Sequence, residues 1–300
     1  MSSILYEKYK PQVVDDLVLP EDFKTKFKKY IKSGSVPNIA LLSSTPGTGK
    51  SSSAYVLLKE LDCEALWINA SLERNIDLIR GKVMNFASQV SFDDKLKVVV
   101  FDEFDNLSKD AQLSLRGFLD SYSDNCRFII TGNYKEKIIT PLLNRLEIFD
   151  FNTFDKKQMV KPIFEKLRFI LDSENIDYDP KSLVPVINTF YPSIRQMIGS
   201  LQKFSNTGKF EVTSNLDGLD VFDKVMITVK NHDFNEMIEK VNLLNAPDSM
   251  YSYLYKNMSM FKNQPNALIL IAKYQHMSES VRDKNLNLSA CLSEIQNFID

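Results

Sequence analysis

The sequence is short of the residues that build most metal and redox sites. It holds three cysteines, Cys63, Cys126 and Cys291, scattered and without C-x-x-C spacing. Such a set excludes both a disulfide framework and a zinc module. Only two histidines, His232 and His276, are present, too few for a histidine-based metal or acid–base site. Long apolar runs are missing as well. Ala267 to Ala272 is among the longest, far below the length that spans a bilayer. Met1 to Lys10 carries Glu7, Lys8 and Lys10 and no signal-peptide apolar stretch, so the expectation is a cytoplasmic chain without membrane partners. Nor is there an excess of charge of one sign: 37 basic residues face 39 acidic ones, for a formal net charge of −2. A freestanding nucleic-acid binder is usually basic overall. Any contact with DNA must come from a local patch, or from several chains acting together.

What is present is an ordinary globular composition, 44% hydrophobic and 25% charged over 300 residues, enough for a large core and two or three domains. The chain is organised around Ser44-Thr45-Pro46-Gly47-Thr48-Gly49-Lys50-Ser51. Ile39 to Leu42 leads in as a short buried strand, and Ser51 to Leu61 reads as the helix that follows. A strand feeding a Gly-rich turn and then a helix aims backbone N–H groups and the positive end of the helix dipole at one anion. Gly47 and Gly49 let the backbone close around it. Lys50 is expected on the β- and γ-phosphates and Ser51 on Mg²⁺, with Thr45, Pro46, Thr48 and Ser52 completing the nucleotide contacts. The first position of the G-x-x-x-x-G-K-[ST] pattern is Ser44 rather than Gly.

Val98 to Phe101, an apolar strand, ends in Asp102-Glu103. Asp102 is placed to hold Mg²⁺, and Glu103 to polarise an attacking water. A kinase needs no such water-activating acid, so the pair favours hydrolysis over transfer. Thr131-Gly132-Asn133 ends a further strand; Asn133 orients the water, touches the γ-phosphate, or is a turn residue. Arg145, in Asn144-Arg145-Leu146, is either a surface salt-bridge arginine or one that reaches a neighbour's ATP.

Upstream, Pro11 keeps Lys10 out of helical geometry, and Tyr6 to Pro11 reads as an extended arm. Glu21 to Lys32 is an amphipathic helix ended by Gly34, its lysines forming a solvated face. Ala65 to Asn69 is a second strand, Ile76 to Gln89 and Asp110 to Tyr122 are helices, Phe128 to Thr131 is a fourth strand and Ile148 to Phe151 a fifth. Apolar strands alternating with helices predict a parallel sheet covered on both faces, a P-loop α/β fold. From about Thr153 no further buried strand is expected, and Asn206 to Asp220 is the best second boundary.

The order of Tyr6-Glu7-Lys8-Tyr9-Lys10-Pro11, Pro46 to Ser51, Asn75 to Gly81, Asp102-Glu103, Asn133 and Asn144-Arg145 resembles the clamp-loader AAA+ ATPases. That family includes the replication factor C small subunits and, most similar here, the large subunits of T4-type phage loaders. A four-Cys zinc module, typical of bacterial chromosomal loaders, is missing. The resemblance implies an AAA+ ATPase domain over residues 1–152, a helical lid over 153–212 and an all-helical collar over 213–300. It implies Tyr9 and Pro11 on the adenine side, although the family usually has Arg where Lys10 stands. Asn133 becomes the first sensor, Arg195 the second, and Arg145 a finger acting in trans, within a motif that departs from the family's Ser-Arg-Cys. Gln112 and Arg116 are implied to couple neighbouring subunits. Asn75, Ile79, Arg80 and Lys82, at the start of a helix, are implied to follow a DNA backbone; spacing alone reads Arg80 and Lys82 as a solvated first turn.

The implied function is a DNA-stimulated ATPase that opens a ring-shaped sliding clamp and loads it on primer–template DNA, irrespective of sequence. Its partners are copies of itself and a second loader subunit, in the host cytoplasm if the chain is viral. Two other readings remain: a non-hydrolysing structural subunit, or a protein-unfolding AAA+ ring. The last wants an aromatic-apolar-Gly pore loop, and Ala70 to Arg74 offers none.

Overall fold

The structure is a computed structural model and describes residues 4–73, 76–89, 95–205, 209–210, 218–244 and 247–299. The chain divides into two compact units, Met1–Glu211 and Val212–Asp300.

The first unit opens with helix α1 (Leu5–Lys8), so the expected arm is helical before it is extended. Proline restricts only the residue before it; its influence stops at Lys10, and Leu5 to Lys8 are free to close a turn. Helix α2 (Glu21–Ser33) ends at Gly34, which takes the left-handed conformation at φ 64°. There follow β1 (Ile39–Leu42), α3 (Lys50–Glu60), β2 (Glu64–Asn69), α4 (Ile76–Ser88), β3 (Lys97–Asp102), α5 (Lys109–Ser121), β4 (Cys126–Gly132), α6 (Thr140–Leu143) and β5 (Glu147–Asp150).

The five strands form one parallel sheet in the order β2-β3-β4-β1-β5. Their apolar runs are explained by burial on both faces. Ala40, Leu42, Val99 and Phe101 join one core cluster, while their alternating neighbours Ile39, Leu41, Val98 and Val100 join another. A period of two that is apolar at both phases belongs to a strand covered by helices on each side.

Beyond the sheet run α7 (Lys156–Ser173), β6 (Asp177–Tyr178), α8 (Leu183–Phe190), α9 (Ile194–Phe204) and β7 (Lys209–Phe210). The short parallel pair of β6 with β7 departs from the strandless expectation; two-residue strands are too brief to show a period. The boundary expected at Asn206 to Asp220 falls largely outside the described residues.

Among the described residues the second unit contains the helices α10 (Gly218–Lys230), α11 (Phe234–Asn242), α12 (Asp248–Lys256), α13 (Gln264–Ser278) and α14 (Lys284–Ile295). Val229, Val241, Leu254, Ile271 and Leu292 bring all five helices to one core. Within it Asn287 donates to the Tyr251 hydroxyl at 2.8 Å and the Tyr274 carbonyl at 2.9 Å, so its buried amide hydrogens are satisfied. None of the helices among the described residues is long and apolar enough to cross a membrane.

Candidate active site

Strand register delivers three chain segments to one place. Leu42 at the end of β1 is level with Gly132 of β4, and Phe101 of β3 is level with Ile130. The phosphate loop, Asn133 and Asp102-Glu103 therefore leave the sheet side by side at its carboxyl edge, where ligands bind in open parallel sheets.

Lys50 is 8% exposed. Its ammonium donates to Asn133 Oδ1 at 2.8 Å and to the Ser43 and Thr45 carbonyls, each at 3.4 Å. Burial pushes its pKa down, while the Asp105 and Asp102 carboxylates pull it back up. The loop takes the shape the glycines permit: Gly47 and Gly49 lie at φ 82° and 102°. A Cβ on Gly47 would sit 2.5 Å from Ser193 Oγ and 3.0 Å from Arg195 Cβ. The Arg195 N–H donates to the Gly47 carbonyl at 3.2 Å, so the start of α9 lies directly against the loop. At its other end Ser44 donates through both N–H and hydroxyl to Asn152 Oδ1, at 2.9 and 2.7 Å. The serine in place of glycine is thus an anchor to the turn that follows β5.

Asp102 Oδ1 accepts from the Ser51 hydroxyl at 2.8 Å and from the Thr131 hydroxyl at 2.5 Å. Thr131 Oγ1 in turn accepts the Glu103 N–H at 3.1 Å. Glu103 is left-handed, φ 56°, a conformation uncommon for a residue with a side chain. Its carboxylate accepts from Asn106 Nδ2 at 3.4 Å. Ser51 and Asp102 form an all-oxygen, anionic pair of the kind that, with substrate phosphates, holds Mg²⁺. Asp105, 6% exposed, accepts the Tyr134 N–H at 3.2 Å through Oδ2, while its Oδ1 has no hydrogen-bond partner among the described residues. The residues present fit a nucleotide with its divalent cation.

A cavity of about 500 Å³ is lined by Tyr9, Pro11, Gly47 to Ser53, Lys166 and Arg195. That is a volume usual for small-molecule sites. Tyr9 is fixed by an edge-on contact with Phe169 and by its hydroxyl donating to Glu174. Arg195 lies over the Tyr6 ring, 5.9 Å from its centroid. Thr131, Asp105 and Lys166 are participants that the sequence pattern does not single out. Asp105 has a visible cue in Asp102-Glu103-Phe104-Asp105. Lys166 has none, being one lysine on a helix until the fold turns it to the cavity, where burial pushes its pKa down.

Other expected residues lie elsewhere. Arg145 is not among the cavity's lining residues; it pairs with Asp120. Gln112 is fully buried, donating to the Leu107 and Lys137 carbonyls at 3.1 and 3.0 Å and accepting the Ile139 N–H at 3.0 Å. These bonds stay within the chain and tie α5 to the segment after Asn133. Arg116 is exposed on the same helix.

On α4, Arg80 donates to Ser114 Oγ and lies 3.5 Å from Asp77, while Lys82 pairs with Glu73 at 2.5 Å. Both side chains stay about half exposed, 43% and 51%. Ile79 corrects the expectation: it is fully buried with Val83 and Ala87, at the i, i+4, i+8 spacing of a core stripe. Its side chain supports the helix and cannot meet DNA. Asn75 lies outside the described residues.

Residues 40–153 match the ATPase family associated with various cellular activities (AAA). The chain is 35% identical over 245 residues to the sliding-clamp-loader large subunit of Enterobacteria phage T4, covering 78% of this chain and 76% of that protein. It belongs to the clamp-loader family of AAA ATPases. The replication factor C small subunit of Aeropyrum pernix is 34% identical over 248 residues, covering 79% of this chain and 73% of that one. The RuvB Holliday junction branch migration motor of Thermotoga maritima superposes with a TM-score of 0.54 at 15% identity, covering 84% and 92% of the two chains. At that identity the likeness is one of fold alone.

Proposed function

We propose that this chain is an ATP-hydrolysing subunit of a DNA polymerase sliding-clamp loader, working in the cytoplasm. The observation that carries hydrolysis is the convergence on Asp102: Ser51 and Thr131 donate to one oxygen, and Thr131 also holds the backbone of Glu103. Loop, acid and strand end are thereby joined in one polar network beside Lys50. Lys50 neutralises the β- and γ-phosphates of ATP, Glu103 polarises the attacking water, and Asn133 orients it. Mg²⁺, held by Ser51 and Asp102, supplies charge neutralisation at the phosphates when bound. Tyr9 and Pro11 border the adenine, and Arg195 meets the γ-phosphate. Arg145 serves the site of a neighbouring copy.

Residues 1–152 form the ATPase domain, 153–212 the lid and 213–300 the collar that joins subunits. The partners are copies of this chain, a second loader subunit, a ring-shaped clamp and primer–template DNA of any sequence. Relatives that are clamp-loader subunits support this assignment. ATP binding opens the clamp and grips DNA; DNA triggers hydrolysis, which releases the closed ring. The test is steady-state phosphate release by the assembled complex, with and without clamp and primer–template. A rate that rises when both are added is expected; a rate indifferent to them contradicts the proposal.

A further inference from the structure

Asp120, near the C-terminal end of α5, lines no part of the cavity; what it holds is Arg145. The Arg145 Nε–H donates to Asp120 Oδ1 at 2.6 Å, and Nη2 donates to Asp120 Oδ2 at 3.0 Å. Nη1 donates to the Pro141 carbonyl at 2.8 Å. A guanidinium is planar and carries five N–H donors in a rigid fork. With three committed, one donor remains on each terminal nitrogen, Nη1 and Nη2, the pair that suits two oxygens of a phosphate.

An ordinary surface ion pair leaves a long side chain to swing between partners. Here the acceptors belong to two elements, α5 and α6, and they grip the guanidinium plane through different nitrogens. These three contacts restrict the rotamer freedom that Arg145 would lose on meeting a phosphate. The hydrogen bonds that Asp120 accepts from Arg145 hold its carboxyl below the usual carboxylate range. Arg116, one helical turn earlier, adds to that lowering. Among the described residues, Asp120 is the charge that acts on Arg145.

We infer that Asp120 is a positioning residue: it presents the Arg145 guanidinium, terminal donors uncommitted, to the triphosphate of a neighbouring copy. The inference rests on the reading of Arg145 as an arginine acting in trans. A carboxylate that merely competed with phosphate for Arg145 would act in the opposite direction, and its removal would speed hydrolysis.

The test is steady-state phosphate release by the assembled loader with clamp and primer–template, over a range of ATP concentrations. Asp120→Ala should lower kcat by roughly 10- to 100-fold, the scale of a misplaced group, and leave KM nearly unchanged. Asp120→Glu, which keeps the carboxylate, should recover part of the loss. On an Arg145→Ala background, Asp120→Ala should add nothing. Asp120→Asn keeps the side chain's size and covers the case in which the alanine variant does not fold. If Arg145→Ala impairs turnover while Asp120→Ala and Asp120→Asn leave it unchanged or raise it, the positioning role is overturned and the trans arginine survives. If Arg145→Ala itself turns over like wild type, the trans arginine and the positioning role fall together.

Discussion

Lys50 and Asn133, 83 residues apart in the chain, meet through a 2.8 Å hydrogen bond from the ammonium to the side-chain oxygen. The parallel register of β1 with β4 makes that meeting possible, because it levels the two strand ends. The residues proposed to meet the phosphates and to orient the water are thus joined directly.

Asn133→Ala should separate binding from chemistry. Lys50 keeps its contacts to the Ser43 and Thr45 carbonyls, so ATP affinity should change little. Hydrolysis should fall by about 10²-fold, the scale for losing one preorganised polar group. Equilibrium binding beside single-turnover hydrolysis checks this, and equal losses in both would contradict it.

Lys50 also predicts a pH dependence of stability. Its pKa is lowered from an ordinary 10.5, chiefly by burial. In the folded chain it therefore binds fewer protons than when unfolded, between the lowered value and 10.5. Holding it charged costs stability at lower pH, and the cost is relieved as pH rises through the folded value. Lys50→Met should stabilise the nucleotide-free chain near neutral pH and flatten the rise toward alkaline pH. Denaturant melts of both chains over a pH series measure it. Parallel stability curves would show that Lys50 carries no such cost.

Gly47 is predicted to be intolerant for two reasons that can be separated. Its φ of 82° strains any other residue, and a Cβ there meets Ser193 Oγ at 2.5 Å. Gly34 shares the left-handed conformation, φ 64°, but has nothing within 4 Å. Gly34→Ala should cost about 1–2 kcal/mol of stability from conformation alone and leave ATP binding intact. Gly47→Ala should push Ser193 and Arg195 off the loop and weaken ATP binding as well. Isothermal titration with ATP distinguishes them; equal affinities in the two variants would remove the steric argument.

Much of the fold and site is legible in the residues because it is local. Val98 to Phe101 is apolar at both phases, as a short strand covered on two faces requires, and Asp102-Glu103 marks its end. The phosphate loop carries its own geometry in Gly47 and Gly49. What escapes a reading of the chain depends on neighbours brought by the fold. Thr131 matters because β3 lies beside β4, Lys166 because α7 reaches the cavity, and Asp120 because Arg145 folds back on α5. Ile79 is misplaced for a related reason. The contiguous stretch from Asn75 to Lys82 reads as one DNA-facing surface, although a helix divides it between core and solvent.

That division is itself testable. Ile79→Ala should cost about 2–5 kcal/mol of stability, as a buried large-to-small change, and leave the salt dependence of DNA binding untouched. Arg80→Ala should barely alter stability. If each subunit neutralises one phosphate through Arg80, the slope of log affinity against log salt should flatten by about 0.9 for every such phosphate left bare on duplex. Binding of the assembled loader to a primer–template over a salt series decides it. An unchanged slope would return Arg80 to a solvated helix residue paired with Asp77 and Ser114.

In the proposed mechanism Glu103 drives hydrolysis at a site whose binding groups are separate from it. The most direct measurement is phosphate release by the assembled complex carrying Glu103→Gln, alongside its affinity for ATP. Lys50, Ser51, Asp102 and the loop are untouched by the substitution. ATP affinity should therefore stay near wild type while turnover falls by orders of magnitude, and a complex of loader, clamp and DNA should accumulate. Turnover near wild type at normal affinity would contradict the account.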